Sequence, residues 1–370
     1  MLMNNYSYVP ILALKPAEMA ALEELPNKDK ALLLPLISLK KWANSKTFAK
    51  SLERIQKAFG NNYFIADIDK DFLLHMKTGK VTCSEELSKE ILELASPSDG
   101  YKKWSEFVKN NEKIIPAIQF GDLSQLSKQI DNLVLANKLL VARFEFSGDN
   151  KISSSDFIKA VEILSEKKIN NGLLFIFDYG DVNRLDLLEY YKYSKLIKRI
   201  YSLLPFATFS ISGTSFPYSF AGSYRGEIPI YERQIYNKVS AECVGINVIY
   251  SDRASTRALS NEGGAGTPPP RIDYPLQNDW RFIRKEFHND ATEKEALYKA
   301  AACEMINTDY WNGNLHLWGT QMIEKTCLGD PYGITSANRA AAVRINLHLY
   351  QQLHYNDSLE DLDTEEEWVD

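Results

Sequence analysis

Polar side chains lie at the ends of eight short apolar runs along this chain of 370 residues. The run over residues 173–177 ends directly on Asp178. A charge beside a core run is costly unless it faces solvent at a strand end or is paired. The other runs also end on polar residues, so Asp178 belongs to a set. Its members are Lys15, Ser38 with Lys40, Asp67 with Asp69, Gln119, Arg143 with Glu145, Asp178, Ser210 with Ser212, and Asp252 with Arg253.

Both signs of charge occur in this set, which favours recognition of a phosphate or carboxylate group with acid–base help. We expect Lys15 and Arg143 to hold such an anion. Asp67, Asp178 and Asp252 each end an apolar run and are the predicted catalytic residues, for acid–base or metal work. Carboxylates with water and substrate phosphate are the usual ligands of Mg²⁺, but the spacing assigns no metal site.

Two further strand-end residues, Ser212 and Arg253, are predicted to bind the ligand. Ser212 lies in the sequence SISGTSFP, a tight Gly-assisted turn whose backbone amides can bind an anion. For Lys40, Asp69 and Glu145 we expect structural roles such as helix capping, because strand ends are where any protein turns polar.

The elements that must position these residues are read from the apolar runs, which are continuous rather than alternating. Continuous runs are typical of strands covered on both faces, as in a parallel sheet. The runs span residues 8–14, 32–39, 63–69, 114–120, 139–146, 173–179, 206–212 and 245–252, with helical spacing between them. This pattern predicts an α/β fold of the (β/α)8 TIM-barrel type, whose active sites lie at the carboxyl ends of the strands. A doubly wound open sheet is the alternative, but the first turn, LALKPAE, lacks its Gly-rich phosphate loop.

The predicted organisation has four parts. Residues 1–255 form the barrel, 256–278 a Gly- and Pro-rich loop, 279–355 a strand and helices packed on the barrel, and 356–370 an acidic tail. In the last helix, we expect His348 to be a packing or hydrogen-bonding residue, because LHLYQQLHY contains no HExxH pattern.

Composition limits the partners and the compartment. The net charge is −6, but the last fourteen residues contain eight acids and no Lys or Arg, so the rest of the chain carries +2. A basic patch typical of nucleic-acid binding is absent from the sequence, and nucleic acid is not an expected partner. The longest apolar runs are about eight residues, against about 20 for a membrane helix, so no membrane association is expected. Four cysteines lie far apart without a CxxC pair, which predicts reduced cysteines and a cytoplasmic protein.

Several segments, in this order along the chain, resemble the beta family proteins, which are named for the beta protein of a satellite coliphage. They are VPILALKPAEMAAL, PLISL, the strand-end residues Asp67 and Asp178, SGTSFP, ERQIY, YSDRAS, DYPLQNDWRFIRKEF and VRINLHL. The chain departs from the family at Ser38, where the family often has Glu, and at Ser251–Asp252–Arg253, where it favours Gly-Asp-Tyr. Tyr250 is expected to supply the missing aromatic group to the ligand site.

The resemblance implies a TIM-barrel-like protein of phage satellites and mobile islands, linked to anti-phage defence and partly to restraint of a toxic neighbour. One hypothesis is therefore a component of an anti-phage defence module that binds a phage product or restrains a partner effector. Its partner would be a protein, either a neighbour in the module or a phage protein. The other is a TIM-barrel enzyme acting on a phosphate- or carboxylate-bearing small molecule such as a nucleotide. The sequence assigns no reaction and no cofactor.

Overall fold

Eight parallel strands and one small antiparallel sheet form the framework of the computed structural model, which describes residues 2–220, 222–258, 268–287 and 293–357. The strands are β1 (Ile11–Ala13), β2 (Leu36–Leu39), β3 (Phe64–Ile68), β4 (Ile114–Pro116), β5 (Leu140–Glu145), β6 (Leu173–Asp181), β7 (Thr208–Thr214), β8 (Arg225–Pro229), β9 (Val248–Tyr250), β10 (Arg271–Pro275) and β11 (Asp279–Arg284). Each of the eight predicted apolar runs coincides with one of the parallel strands, although β6 and β7 each extend two residues beyond their runs, so this prediction is confirmed.

Helices follow most of the parallel strands and form the outer layer. They are α1 (Pro16–Glu23), α2 (Asn27–Lys30), α3 (Ala49–Phe59), α4 (Lys70–Lys77), α5 (Glu85–Leu94), α6 (Ser98–Asn110), α7 (Leu126–Val134), α8 (Ser154–Glu166), α9 (Arg184–Leu188), α10 (Tyr191–Leu203), α11 (Tyr231–Glu242), α12 (Lys294–Ile306), α13 (Trp318–Leu328) and α14 (Ala337–Leu353). Asp69 caps α4 by accepting a hydrogen bond from the Phe72 amide, as the structural interpretation of Asp69 predicted. No helix in the described part of the chain is long and apolar enough to cross a membrane.

The parallel strands form two four-stranded sheets, in the orders β1-β2-β3-β4 and β5-β6-β7-β9. Continuous pairing does not join the sheets, so the predicted closed (β/α)8 barrel is not shown, whereas the mixed α/β fold with parallel strands is confirmed. Isolated bridges connect the sheet edges, between Ala117 and Val141 on one side and between Tyr8 and Tyr250 on the other. At the second edge, the Val9 amide donates to the Tyr250 carbonyl at 2.9 Å.

The strands are apolar on both faces because each sheet separates two cores. The larger core lies between the strands and the helices. A second cluster draws side chains from both parallel sheets, including Ile11, Leu36, Ile65, Val141 and Ile176. Alternate residues of one strand point to opposite faces, so the continuous apolar runs are explained by burial on both sides.

The C-terminal segment, from residue 256 onward, adds β10, β11 and the helices α12 to α14. β10 and β11 join β8 in an antiparallel sheet of the order β10-β11-β8. The prediction of loop throughout residues 256–278 is wrong for β10, which pairs with β11 and buries Ile272 and Tyr274. β10 directly follows Pro270, ends at Pro275 and is only five residues long, so the Gly- and Pro-rich composition around it conceals the strand. Residues 259–267 and most of the acidic tail, from 358, lie outside the described residues.

The cysteine prediction is also partly wrong. Cys303 in α12 and Cys327 in α13 form a disulfide, although 24 positions separate them in sequence. Cys83 and Cys243 are free thiols. Packing of α12 against α13 brings the two cysteines together, and no local spacing rule anticipates a contact between neighbouring helices.

Candidate functional site

A cleft of about 570 Å³ opens at the carboxyl ends of the parallel strands, between them and the C-terminal segment. Lys15, Lys40, Asp69 and Arg143 line it from the ends of β1, β2, β3 and β5. The C-terminal segment contributes Arg271, Asp273 and Arg344 to the same space. This volume lies in the range of small-molecule sites, roughly 300–1,000 Å³.

Arg143 is the centre of a buried ion-pair network below this cleft. Its Nη1 atom lies 3.2 Å from Asp67 Oδ2, and its Nη2 atom lies 2.7 Å from Asp178 Oδ2. Nη2 also lies 3.2 Å from Glu145 Oε1. Arg253 reaches the same network, with Nη2 2.7 Å from Asp178 Oδ2. Three carboxylates therefore surround the Arg143 guanidinium, which leaves it little capacity to bind an added anion.

The charges in this network hold one another ionised. Burial alone would raise the pKa of Asp178, but Arg253 and Arg143 outweigh it and lower the pKa to about 2. Burial alone would lower the pKa of Arg143, and Glu145, Asp178 and Asp67 raise it above its ordinary value. At neutral pH Asp178 is therefore ionised and has no proton to donate.

Asp252 forms the centre of a second buried network, at the end of β9. Its Oδ1 atom accepts hydrogen bonds from the Tyr8 hydroxyl and, at 2.8 Å, from the Ala254 amide. Its Oδ2 atom accepts from the Tyr250 hydroxyl at 2.7 Å and lies 2.6 Å from His348 Nε2. Burial opposes ionisation of Asp252, but His348 and these hydrogen bonds lower its pKa. Both oxygens of the carboxylate are therefore occupied.

The tautomer of His348 follows from its second neighbour. The Trp280 indole Nε1 lies 3.2 Å from His348 Nδ1, and an indole N–H can only donate. Nδ1 must then accept, which leaves the imidazole proton on Nε2, where it is donated to Asp252. The expectation that His348 is a hydrogen-bonding residue is confirmed.

The backbone after Asp252 is strained. Ala254 and Ser255 have φ angles of 47° and 57°, in the left-handed region that non-glycine residues rarely adopt. This conformation places Arg253 and Arg257 on either side of it, and both line the cleft. Strained backbone of this kind is concentrated at functional sites, where the surrounding structure holds it.

The eight residues predicted for the site separate into two groups. Lys15, Arg143 and Arg253 line the cleft. The others are at most 2% exposed and are not among its lining residues within the described chain: Asp67, Asp178, Ser212, Tyr250 and Asp252. Their catalytic and binding roles stay predictions. Ser212 Oγ and Arg253 Nε have no hydrogen-bond partner within the described residues.

Sequence reasoning missed the contribution of the C-terminal segment. Arg257, Arg271, Asp273 and Arg344 all line the cleft, yet none follows a predicted barrel strand. The available signal was an arginine inside the apolar helix sequence AAAVRINLHL, where a buried charge needs a partner. Arg344 finds that partner in Asp273, at 2.8 Å.

A further buried carboxyl group, Glu232, lies at the start of α11. Its Oε2 atom accepts hydrogen bonds from the Ser215 amide at 3.0 Å and the Ser215 hydroxyl at 2.5 Å. Its Oε1 atom has no partner within the described residues. Burial raises the pKa of Glu232 to about 8, with a smaller contribution from Asp252. Within the described residues, no cluster of three or more His, Cys, Asp or Glu side chains could hold a metal ion.

Comparison with known proteins gives a match over almost the whole chain. Residues 8–354 match the family model described as "Beta protein". The chain is 30% identical over 366 residues to "Protein beta" of Enterobacteria phage P4, and the alignment covers 96% of each protein. The likeness therefore includes the cleft, both buried networks and the C-terminal segment.

Proposed function

The chain belongs to the Beta protein family, and we propose that it is a cytoplasmic component of an anti-phage defence module that acts by binding. In this role it recognises a phage product or restrains a partner effector of the module. The similarity to a phage protein supports a phage-associated role. The proposal of binding rather than catalysis comes from the geometry of the buried carboxylates.

The observation that carries this proposal is the saturation of Asp67, Asp178 and Asp252. Asp67 binds Arg143, the Gln119 amide group at 3.0 Å and the Ile68 backbone amide at 2.8 Å. The other two carboxylates are equally surrounded, and all three are at most 2% exposed. A general acid or base must reach the proton it transfers, directly or through one water. These contacts favour a structural role for the carboxylates beneath a binding cleft.

We further propose that the two parallel sheets act as one (β/α)8 barrel. The backbone hydrogen bonds at both sheet edges and the apolar cluster shared by the sheets support this architecture. In such a barrel, ligands bind at the carboxyl ends of the strands. The observed cleft has this location, which supports its role as the ligand site.

A protein partner is supported by exposed apolar side chains at α9 and the start of α10. Leu185, Leu188 and Tyr191 are 69%, 62% and 53% exposed, and three-residue steps separate them. Leu185 and Leu188 lie on one face of α9, and Tyr191 is the first residue of α10. Grouped exposed apolar residues mark interaction surfaces more often than isolated ones do.

The test combines phage plating with co-purification. Deletion of the gene from its locus should raise phage plating or release toxicity of a neighbouring protein, and the tagged chain should co-purify with that neighbour or with a phage protein. Leu185→Asp should weaken the co-purification, whereas Leu135→Asp should not, because Leu135 is 79% exposed at the end of α7 and apart from this face. Unchanged plating and unchanged toxicity after deletion would contradict the proposal.

The second candidate function is an enzyme acting on a phosphate- or carboxylate-bearing small molecule such as a nucleotide. The size of the cleft and its charged lining favour this candidate. Incubation of the purified chain with nucleotides and divalent cations separates the two functions. Product formation that Asp67→Asn and Asp178→Asn abolish, in variants that remain folded, would support the enzyme and contradict binding alone.

A further inference from the structure

We propose that Arg257, Arg271 and Arg344, together with Lys15, form a binding site for the phosphate group of a small phosphate monoester. This inference rests on the proposed binding role of the cleft and names the chemistry of its ligand. None of the three arginines was predicted from sequence, and the anion site differs from the predicted pair Lys15 and Arg143.

The first argument is an imbalance of charge. Arg271 binds Asp273 through two hydrogen bonds of 2.6 and 2.9 Å, and Arg344 binds the same carboxylate at 2.8 Å. Arg257 donates from Nε to the Pro217 carbonyl at 3.1 Å, and it has no ion pair within the described residues. Among the described residues, two carboxylates, Asp273 and the buried Glu18, therefore face the three guanidinium groups and Lys15. Four positive and two negative groups leave a formal charge of +2 at this end of the cleft.

Burial makes this imbalance costly. Arg344 is 7% exposed and Asp273 is 4% exposed, whereas Arg257 and Arg271 are half-buried. Burial lowers the pKa of Arg257, and the neighbouring Arg271 lowers it further. Like charges in a partly desolvated site repel one another unless a counter-ion enters. A phosphate monoester carries a charge of about −2 near neutral pH, which matches the excess, whereas a carboxylate supplies only half of it.

The second argument is that aromatic rings hold the guanidinium groups in place. Arg271 lies over the ring of Phe220 at 3.5 Å, and Arg344 lies over the ring of Phe216 at 4.1 Å. A guanidinium stacked on a ring keeps its edge N–H groups available for a planar or tetrahedral oxyanion. Fixed donors lose little conformational entropy when the anion binds. The arrangement is therefore prepared for phosphate before the ligand arrives.

The surroundings of the arginines also suit an anion. Lys15 lines the cleft, makes no ion pair within the described part of the chain, and directly precedes α1. The first turns of α14 line the cleft through the small residues Ala337, Ala340 and Ala341. The amino-terminal turn of a helix carries a partial positive charge, and alanine leaves space for the ligand beside the arginines.

The remainder of the cleft determines what else the ligand carries. Asp69, Asp71, Glu145 and Asp149 line it after β3 and β5, together with the three cations Lys40, Lys70 and Arg143. Asp69 binds Lys40 at 2.7 Å, and Glu145 binds Lys70. The excess of carboxylates favours hydroxyl or amino groups on the ligand and disfavours a second phosphate. The structure therefore favours a monoester with a polar, hydrogen-bond-donating body over a polyanion.

Inorganic phosphate is the probe for the test, added to the full-length chain at constant ionic strength, with acetate as the comparator. Phosphate should raise the melting temperature in a saturable manner, because a ligand that binds the native state stabilises it. Calorimetry should give an affinity for phosphate at least tenfold higher than for acetate. Arg257→Gln should weaken phosphate binding at least tenfold, and Lys15→Gln should weaken it severalfold.

Arg199→Gln is the matched control, because Arg199 is exposed on α10 and not among the residues that line the cleft, yet its replacement removes the same charge. This variant should bind phosphate like the wild type. Equal binding by the wild type, Arg257→Gln and Lys15→Gln would overturn the proposal, and so would acetate binding as tight as phosphate binding. If Arg257→Gln does not fold, Lys15→Gln alone decides the result. The assay uses purified protein, so its failure is independent of phage plating and co-purification.

Discussion

Replacement of Asp178 by Asn tests whether the charge network around Arg143 is structural. Asp178 is 1% exposed and accepts hydrogen bonds from Arg143, Arg253 and the Gly180 amide. The variant keeps the side-chain shape but removes the charge that both guanidinium groups share. We expect the folded protein to lose stability while its overall fold is kept.

Two calculations give the magnitude of this loss. The pKa of Asp178 is about 2 rather than 3.8, so ionisation of this group stabilises the native state by about 2 kcal/mol at neutral pH. Breaking a buried ion pair by removing one partner costs about 3–5 kcal/mol, because the remaining charge is left uncompensated. The expected loss for Asp178→Asn is therefore about 2–5 kcal/mol.

The assay is urea unfolding at neutral pH, followed by circular dichroism. Asp279→Asn is the matched control, because Asp279 pairs with Arg281 at a partly exposed site and should lose at most about 1 kcal/mol. Phe177→Ala sets the scale of a core deletion, about 3–5 kcal/mol, since Phe177 is 1% exposed on the same strand.

The pH dependence gives an independent check. The stabilisation by Asp178 is present above pH 3.8 and is lost as the pH falls through about 2, so the difference between wild type and variant should shrink in acid. A variant as stable as the wild type within about 0.5 kcal/mol, with binding or activity abolished, would refute the structural interpretation and restore a direct functional role.

Three further predictions concern other parts of the molecule. Glu232 has a pKa of about 8 in the folded protein, against 4.5 ordinarily. Its protonated form therefore stabilises the native state fully below pH 4.5, and this stabilisation is lost as the pH rises through 8. Glu232→Gln should flatten the resulting decline in the free energy of unfolding between about pH 5 and 8, measured by chemical unfolding. Reduction of the disulfide between Cys303 and Cys327, or Cys303→Ser, should lower the free energy of unfolding by about 2–4 kcal/mol, because the bond closes a loop over 24 positions; unchanged unfolding with and without reductant would contradict this. Gly319→Ala should lower the melting temperature, because a Cβ atom there would lie 2.6 Å from Leu347 Cγ and push α13 away from α14. An unchanged melting temperature would show that the two helices accommodate the methyl group.

The strands and most helices could be predicted from the sequence because their signals are local. Eight apolar runs correspond to eight parallel strands, and amphipathic spacing located helices such as α8 and α12. The polar ends of the strands were equally visible, and they do gather at one end of the sheets, where the cleft lies. A second class of local signal, helix capping, correctly identified the structural role of Asp69. Family membership was also readable from motifs in order along the chain.

Tertiary structure alone decided what those polar residues do. Arg143 is surrounded by Asp67 and Asp178, and Asp252 meets His348 across 96 positions, because strand order and the packing of α14 bring them together. Whether a carboxylate at a strand end faces the cleft or is buried in an ion pair depends on neighbouring strands and on the segment that covers them. The cationic end of the cleft depends on the C-terminal segment in the same way. Residue types and hydrophobic periodicity are properties of short stretches of chain, whereas charge pairing depends on distances between stretches that only the packed fold brings into contact.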